Sequence, residues 1–142
     1  MPVSSLSRIA LRSVVLACGI AVSALALAQD KVIFQVTDND VAKWSLTLNN
    51  VRNLQNGVGG ADRADIEVIA YGPGIQLLKA DSPIAARISE AVGNKVKVVA
   101  CENTMAANKL THADMLPDID YVPAGVVEVM RKQQAGYAYI RP

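Results

Sequence analysis

Residues 96–110 read VKVVACENTMAANKL, an apolar run that ends on Cys101 and breaks at once into polar residues. A cysteine so placed has two physical readings. In one it is a small buried hydrophobe filling a corner of the core, the ordinary setting of a lone free cysteine. In the other it is a thiol displayed at a strand end, where the N–H groups opening the next helix favour thiolate and depress the pKa below its free value of about 8.5. Glu102 opposes the second, because a neighbouring negative charge disfavours thiolate.

Other chemistries find fewer residues. His112, the sole histidine, lies in a polar turn ahead of Asp114, a setting that suits a solvated side chain. Pairing with the thiol would have to be spatial, and no protease signature surrounds Cys101. One Cys and one His do not supply the three or four ligands of a zinc site, so no metal is expected. Nor is a cofactor, since G-x-G-x-x-G, a P-loop, a nucleophile elbow and CxxC are all absent. The segment TDND at 37–40 alternates like a calcium loop but lacks the EF-hand glycine and terminal glutamate, which leaves helix capping by Asp38, Asn39 or Asp40 as its role. YGPG at 71–74 is either a tight turn or a nest of backbone N–H groups open to an anion.

The elements that must position these residues follow a leader. Arg8 and Arg12 form a basic n-region, an apolar run covers 14–27, and Ala26 and Ala28 suit a leader-peptidase site. This predicts a secretory signal peptide over 1–28, cleaved after Ala28, and a mature domain over 29–142 directed to the periplasm. The apolar run is shorter than the roughly 20 residues a spanning helix needs, so no membrane association is expected once the leader is removed. Cys18 raises a lipid-anchored alternative through a loose lipoprotein box, against which stands the short spacing from Arg12. Cleavage removes two arginines and no acid, turning the net charge from +1 to −1. A chain so near neutrality, with no basic run, is not expected to bind nucleic acid. Cys101 becomes the only cysteine, which excludes a disulfide framework and leaves an intermolecular disulfide or a free thiol.

Within the mature segment, KVIFQV reads as a first strand. Val41, Trp44, Leu48, Val51 and Leu54 then line one helical face, with Gly57 placed to end the helix. A second strand is expected over 66–71, and a second helix with Ser82 as N-cap and Pro83 at its first position. A third strand, KVKVVA, delivers Cys101 to a helix over 105–110, and Thr111 and Asp114 form a capping pair for a brief turn. IDYV precedes a helix opened by Pro123 with Val126, Val127 and Met130 facing inward; Gly136 closes it, and YAYIR is the last strand. Strand and helix thus alternate about five times, which predicts an α/β fold, a mainly parallel sheet of about five strands between helix layers. In such a sheet the loops after the strands share one edge, so Cys101, residues 37–40, residues 71–74 and Pro123 are expected together there.

With these elements placed, the leader followed by KVIFQVTDND, VIAYGPGIQLL, VVACENTM and LPDIDYVPAGVVEVMRKQQAGYAYIRP resembles the exported branch of the DsrE/DsrF-like family, whose cytoplasmic relatives relay sulfur as cysteine persulfides. The most specific pieces are the strand-end cysteine with NTM after it, the GPG turn and YVPAGVVE. The resemblance implies a three-layer α/β/α sandwich, flavodoxin-like and DsrE-like, that forms homo-oligomers, commonly trimers or hexamers. It also implies sulfane sulfur carried on Cys101 near a subunit boundary, as a sulfurtransferase or persulfide carrier would hold it. Asn103 and Thr104 would then donate hydrogen bonds to the thiolate, while Tyr71, Gly72, Gly74 and Asp38 line the same edge. The partners implied are a sulfur donor and an acceptor thiol. The alternative is a non-catalytic oligomeric binding module of the same fold.

Overall fold

The computed structural model describes residues 28–142; the expected leader up to residue 27, with Arg8, Arg12 and Cys18, lies outside them. Five strands form one sheet: β1 (Asp30–Val36), β2 (Ala64–Ala70), β3 (Lys97–Cys101), β4 (Asp120–Val122) and β5 (Ala138–Ile140). The order is β4-β3-β2-β1-β5 and every pairing is parallel. The expected α/β class and parallel sheet are therefore what the chain adopts. β1 lies between β2 and the last strand, whereas in the 2-1-3-4-5 order of flavodoxin it lies between the second strand and the third.

That order decides where the helices go. Connections from β1 to β2, β3 and β4 all step one way across the sheet, so right-handed crossovers place their helices on one face. α1 (Val41–Val58), α2 (Ala85–Gly93) and α3 (Glu102–Ala107) lie there, contributing Trp44, Leu48, Val51, Ile88 and Met105 to a core with Phe34, Val68 and Val98. The connection from β4 to β5 returns across the whole sheet. The same handedness puts its helix, α4 (Gly125–Gln134), on the opposite face, where Val129 meets Ile33, Ile69 and Val99. The three layers are thus unequal.

Local signals explain most boundaries. Asp40 caps α1, its Oδ1 accepting from the N–H groups of Ala42 at 2.8 Å and Lys43 at 3.3 Å. α1 runs past Gly57 and stops at Gly59, which takes the left-handed conformation (φ 98°) that Gly57 was expected to supply. The second strand is Ala64–Ala70, earlier than expected, with Tyr71 just beyond it. A 3-10 helix, Gly72–Leu78, continues directly from the GPG turn. α2 begins at Ala85, and Ser82 does not cap it: the Ser82 carbonyl accepts from Ala85 in a preceding turn while its hydroxyl is buried without a partner among the described residues. The Thr111–Asp114 capping box is present as expected, on the 3-10 turn His112–Asp114.

α4 differs most from its expectation. It starts at Gly125, two residues after Pro123, and buries Gly125 and Val129. Val126 and Met130 point outward, 62% and 49% exposed. Both faces of this helix carry apolar residues, so the spacing alone chose the wrong one; close packing at Gly125 fixed the other.

Candidate functional site

β3 and β4 are neighbours, yet α3 leaves β3 on one face of the sheet and α4 leaves β4 on the other. Divergent exits of this kind open a crevice outside the carboxyl ends of the strands, where α/β sheets bind ligands. Cys101 ends β3 in that crevice. Side chains alternate along a strand, and with Ala100 in the core under α3, Cys101 turns to the α4 side with Val99.

Two helix openings meet the sulfur there. α3 begins at Glu102, not at Met105 as expected, so Cys101 is itself its N-cap. The N–H of Gly125, first residue of α4, donates to Cys101 Sγ at 3.2 Å. Cys101 Sγ donates in turn to the Pro123 carbonyl over a long 3.9 Å. Burial pushes the thiol's pKa up, but hydrogen bonds from the Thr104 hydroxyl and from the backbone N–H groups of Gly125, Thr104 and Asn103 outweigh it, and the net is a thiol held below its ordinary value. Access is the counterpoint: Cys101 is only 4% exposed, where a strand-end thiol was expected to be reachable by solvent. Its burial follows from α4, whose first turn covers it. A cavity of about 260 Å³ opens beside this corner, lined by Val122, Pro123, Ala124, Val127, Glu128 and Arg131.

The other expected residues divide. Thr104 connects the thiol to the GPG turn, because its Oγ1 accepts from the Gly72 N–H at 3.0 Å. Asn103 acts through its backbone, which also donates to the Pro123 carbonyl at 3.1 Å. Gly74 brings two strand ends into contact: its N–H donates to the Thr37 carbonyl at 3.1 Å, and a β-carbon there would fall 2.3 Å from the Val36 carbonyl oxygen. With the Gly72 and Gly74 N–H groups both satisfied internally, YGPG is a turn and not an open anion nest. Tyr71 packs against Gly125, and burial raises its phenol pKa. Asp38 ion-pairs with Lys43 at 3.2 Å and Arg141 at 3.6 Å, and its carbonyl accepts from Trp44 Nε1 at 2.7 Å. It holds the edge together and is not among the groups bonded to the sulfur.

His112 stacks on Tyr121 with ring centroids 3.7 Å apart, and its Nε2 lies 3.6 Å from a Glu102 carboxylate oxygen. The carboxylate expected to oppose the thiolate therefore lies at the surface, in solvent beside that ring. Gly125 is the residue that sequence reasoning missed. Its signal was a glycine at a helix opening directly after a strand, but only the strand order reveals that this opening faces Cys101.

The chain's likenesses agree with this architecture. A model of the DsrE/DsrF-like family matches residues 30–142. No curated protein matches. Among solved structures, the protein of unknown function MTH1491 from Methanobacterium thermoautotrophicum is 36% identical with a TM-score of 0.76, over 80% of this chain and all of that one. The ychN protein from E. coli (12% identity, TM-score 0.62, 80% of this chain and all of that one) shares the fold. So does BT1422 from Bacteroides thetaiotaomicron (14% identity, TM-score 0.66, 80% and 95%).

Proposed function

From the premise that this chain belongs to the DsrE/DsrF-like family, we propose that it carries sulfane sulfur as a persulfide on Cys101. The observation that carries the reading is the Gly125 N–H aimed at Cys101 Sγ at 3.2 Å, with the Thr104 hydroxyl assisting, in a site where hydrogen bonding wins over burial. Donors fixed on a sulfur favour its anion, the form that attacks.

In the loading step the Cys101 thiolate attacks the outer sulfur of a donor persulfide R–S–SH. A new S–S bond forms at Cys101, the donor S–S bond breaks, and the proton leaves with R–S as a thiol once Cys101 holds the persulfide anion. Unloading is the same exchange in reverse, with an acceptor thiolate attacking the outer sulfur and Cys101 leaving as thiolate. No net oxidant or reductant is consumed. The N–H groups that stabilise the thiolate also suit the persulfide anion and the departing thiolate.

Export and assembly belong to the same proposal. The basic n-region and Ala-Leu-Ala site support a periplasmic protein. The exposed apolar side chains of α4 and β5, Val126, Met130 and Tyr139, support a homo-oligomer that covers this thin face. Intact-mass measurement of protein taken from its own compartment is the test. An added ~32 Da per sulfur that disappears in Cys101→Ser is the expected result; protein that stays unloaded after exposure to persulfide or polysulfide overturns it. The burial of Cys101 favours one second reading, a binding module whose edge holds a ligand or partner without sulfur chemistry. Activity unchanged by alkylation of Cys101 would select it.

A further inference from the structure

α4 makes its bond to the thiol at one end and is fastened at the other. Lys132, seven residues after Gly125 and about 10 Å along the helix, places its ammonium 2.7 Å from Glu67 Oε2 and 3.7 Å from Glu128. The Tyr137 ring lies 4.7 Å under the same ammonium, and the Tyr137 hydroxyl bonds Asp65, which also pairs with Lys97 at 3.5 Å. Glu67 sits in the middle of a strand that is apolar apart from it and Asp65, is 2% exposed, and leaves its second oxygen without a partner among the described residues.

Stability does not explain that carboxylate. A buried ion pair regains in attraction about what it loses in desolvation, and an apolar pair of similar volume is often as stable or more so. What an ion pair adds is a defined position along the helix, because one ammonium and one carboxylate fit in one place while apolar contacts slide. Between the two ends only Val129 of α4 is buried against Ile33, Ile69 and Val99. A shift of about 1 Å at Lys132 is therefore passed along a rigid helix to Gly125, enough to spoil a directed N–H···S bond.

We infer that Glu67 and Lys132 are positioning residues for the thiol: by locking the C-terminal half of α4 to the centre of the sheet, they set where the Gly125 N–H meets Cys101 Sγ. The inference rests on the sulfur-carrier reading for its purpose, yet its test does not need sulfur.

The test is the apparent pKa of Cys101, read from iodoacetamide alkylation rate against pH in Glu67→Gln, Lys132→Met and Lys132→Arg. The two neutralising changes separate geometry from field. A mere field effect would raise the thiol pKa when the cation goes and lower it when the carboxylate goes. Positioning raises it in both, and one unit slows alkylation near neutrality by about tenfold. Lys132→Arg, which keeps the ion pair, should restore most of the rate. Shifts of opposite sign, or no shift in a folded variant, overturn the inference. Should Lys132→Met fail to fold, the near-isosteric Glu67→Gln decides alone, by the upward shift that a field effect cannot give. Protein that shows the upward shifts but never gains sulfur keeps the clamp and loses the carrier.

Discussion

A β-carbon built on Gly125 would lie 2.7 Å from Cδ1 of Tyr71, so the residue that donates to the thiol is one that the neighbouring ring forbids to grow. Gly125→Ala must displace either the ring or the helix opening, and the helix opening carries the N–H bonded to the sulfur. The expected outcome is a raised Cys101 pKa and a loss of about 1–3 kcal/mol in stability, the usual cost of overpacking. Alkylation kinetics and urea denaturation check the two parts separately.

Thr104→Val removes a hydroxyl that serves both ways, donating to Cys101 Sγ and accepting from the Gly72 N–H. One backbone donor is left unpaired, at about 1–3 kcal/mol, and the thiol loses its first stabilising bond. Thr104→Ser keeps the hydroxyl and is expected to retain the wild-type titration. A Val variant titrating like wild type would remove Thr104 from the site.

Gly74→Ala tests the joint between β1 and the GPG turn. The intruding methyl meets backbone, the Val36 carbonyl, which has no rotamer to yield. Destabilisation in the upper part of the ~1–3 kcal/mol overpacking range is expected, measured by urea midpoint, together with slower recovery of a correctly titrating thiol on refolding.

The thiol's depressed pKa makes a signed prediction about pH. A group whose folded pKa lies below its unfolded value contributes stability above the unfolded pKa and loses it as pH falls through the folded one. The stability of wild type relative to Cys101→Ser should therefore rise with pH above the folded pKa and level off once pH passes the pKa of a free thiol, about 8.5. Denaturation at several pH values from neutrality upward checks it; a flat difference would mean that the sulfur titrates like free cysteine.

Glu102→Gln should move the same titration far less than Gly125→Ala, because the Glu102 carboxylate stands in solvent, which screens its charge, while the Gly125 N–H is bonded to the sulfur itself. Equal shifts in the two variants would restore Glu102 as the main opponent of the thiolate. Alkylation rates against pH in the two proteins make the comparison.

What was legible in the sequence was local or periodic. The cap of α1, expected from Asp38, Asn39 or Asp40 and supplied by Asp40, and the Thr111–Asp114 cap were legible because each satisfies backbone within three residues of itself. Trp44, Leu48 and Val51 announced the inner face of α1 by their spacing. The strand-end place of Cys101 and its company with residues 37–40 and 71–74 followed from parallel strands sharing one edge. Ser82 misled because the start it marks is a turn that precedes the helix. Gly125 and the Glu67–Lys132 pair were illegible for another reason. Their roles depend on α4 crossing the opposite face of the sheet, and that depends on β5 lying beside β1, which no local pattern encodes.

That returning crossover also sets an order of events. Pairing Val32 with Ala138 joins the two ends of the domain, and closing so long a loop is the costliest pairing in the sheet and among the last to be rewarded. Strands β1 to β4 neighbour one another in sequence order and can assemble beforehand. During synthesis the segment that carries α4 and β5 also follows Cys101. Until α4 and β5 dock, Cys101 is a bare thiol on an uncovered sheet face, and their docking is what seats the sulfur against the Gly125 N–H.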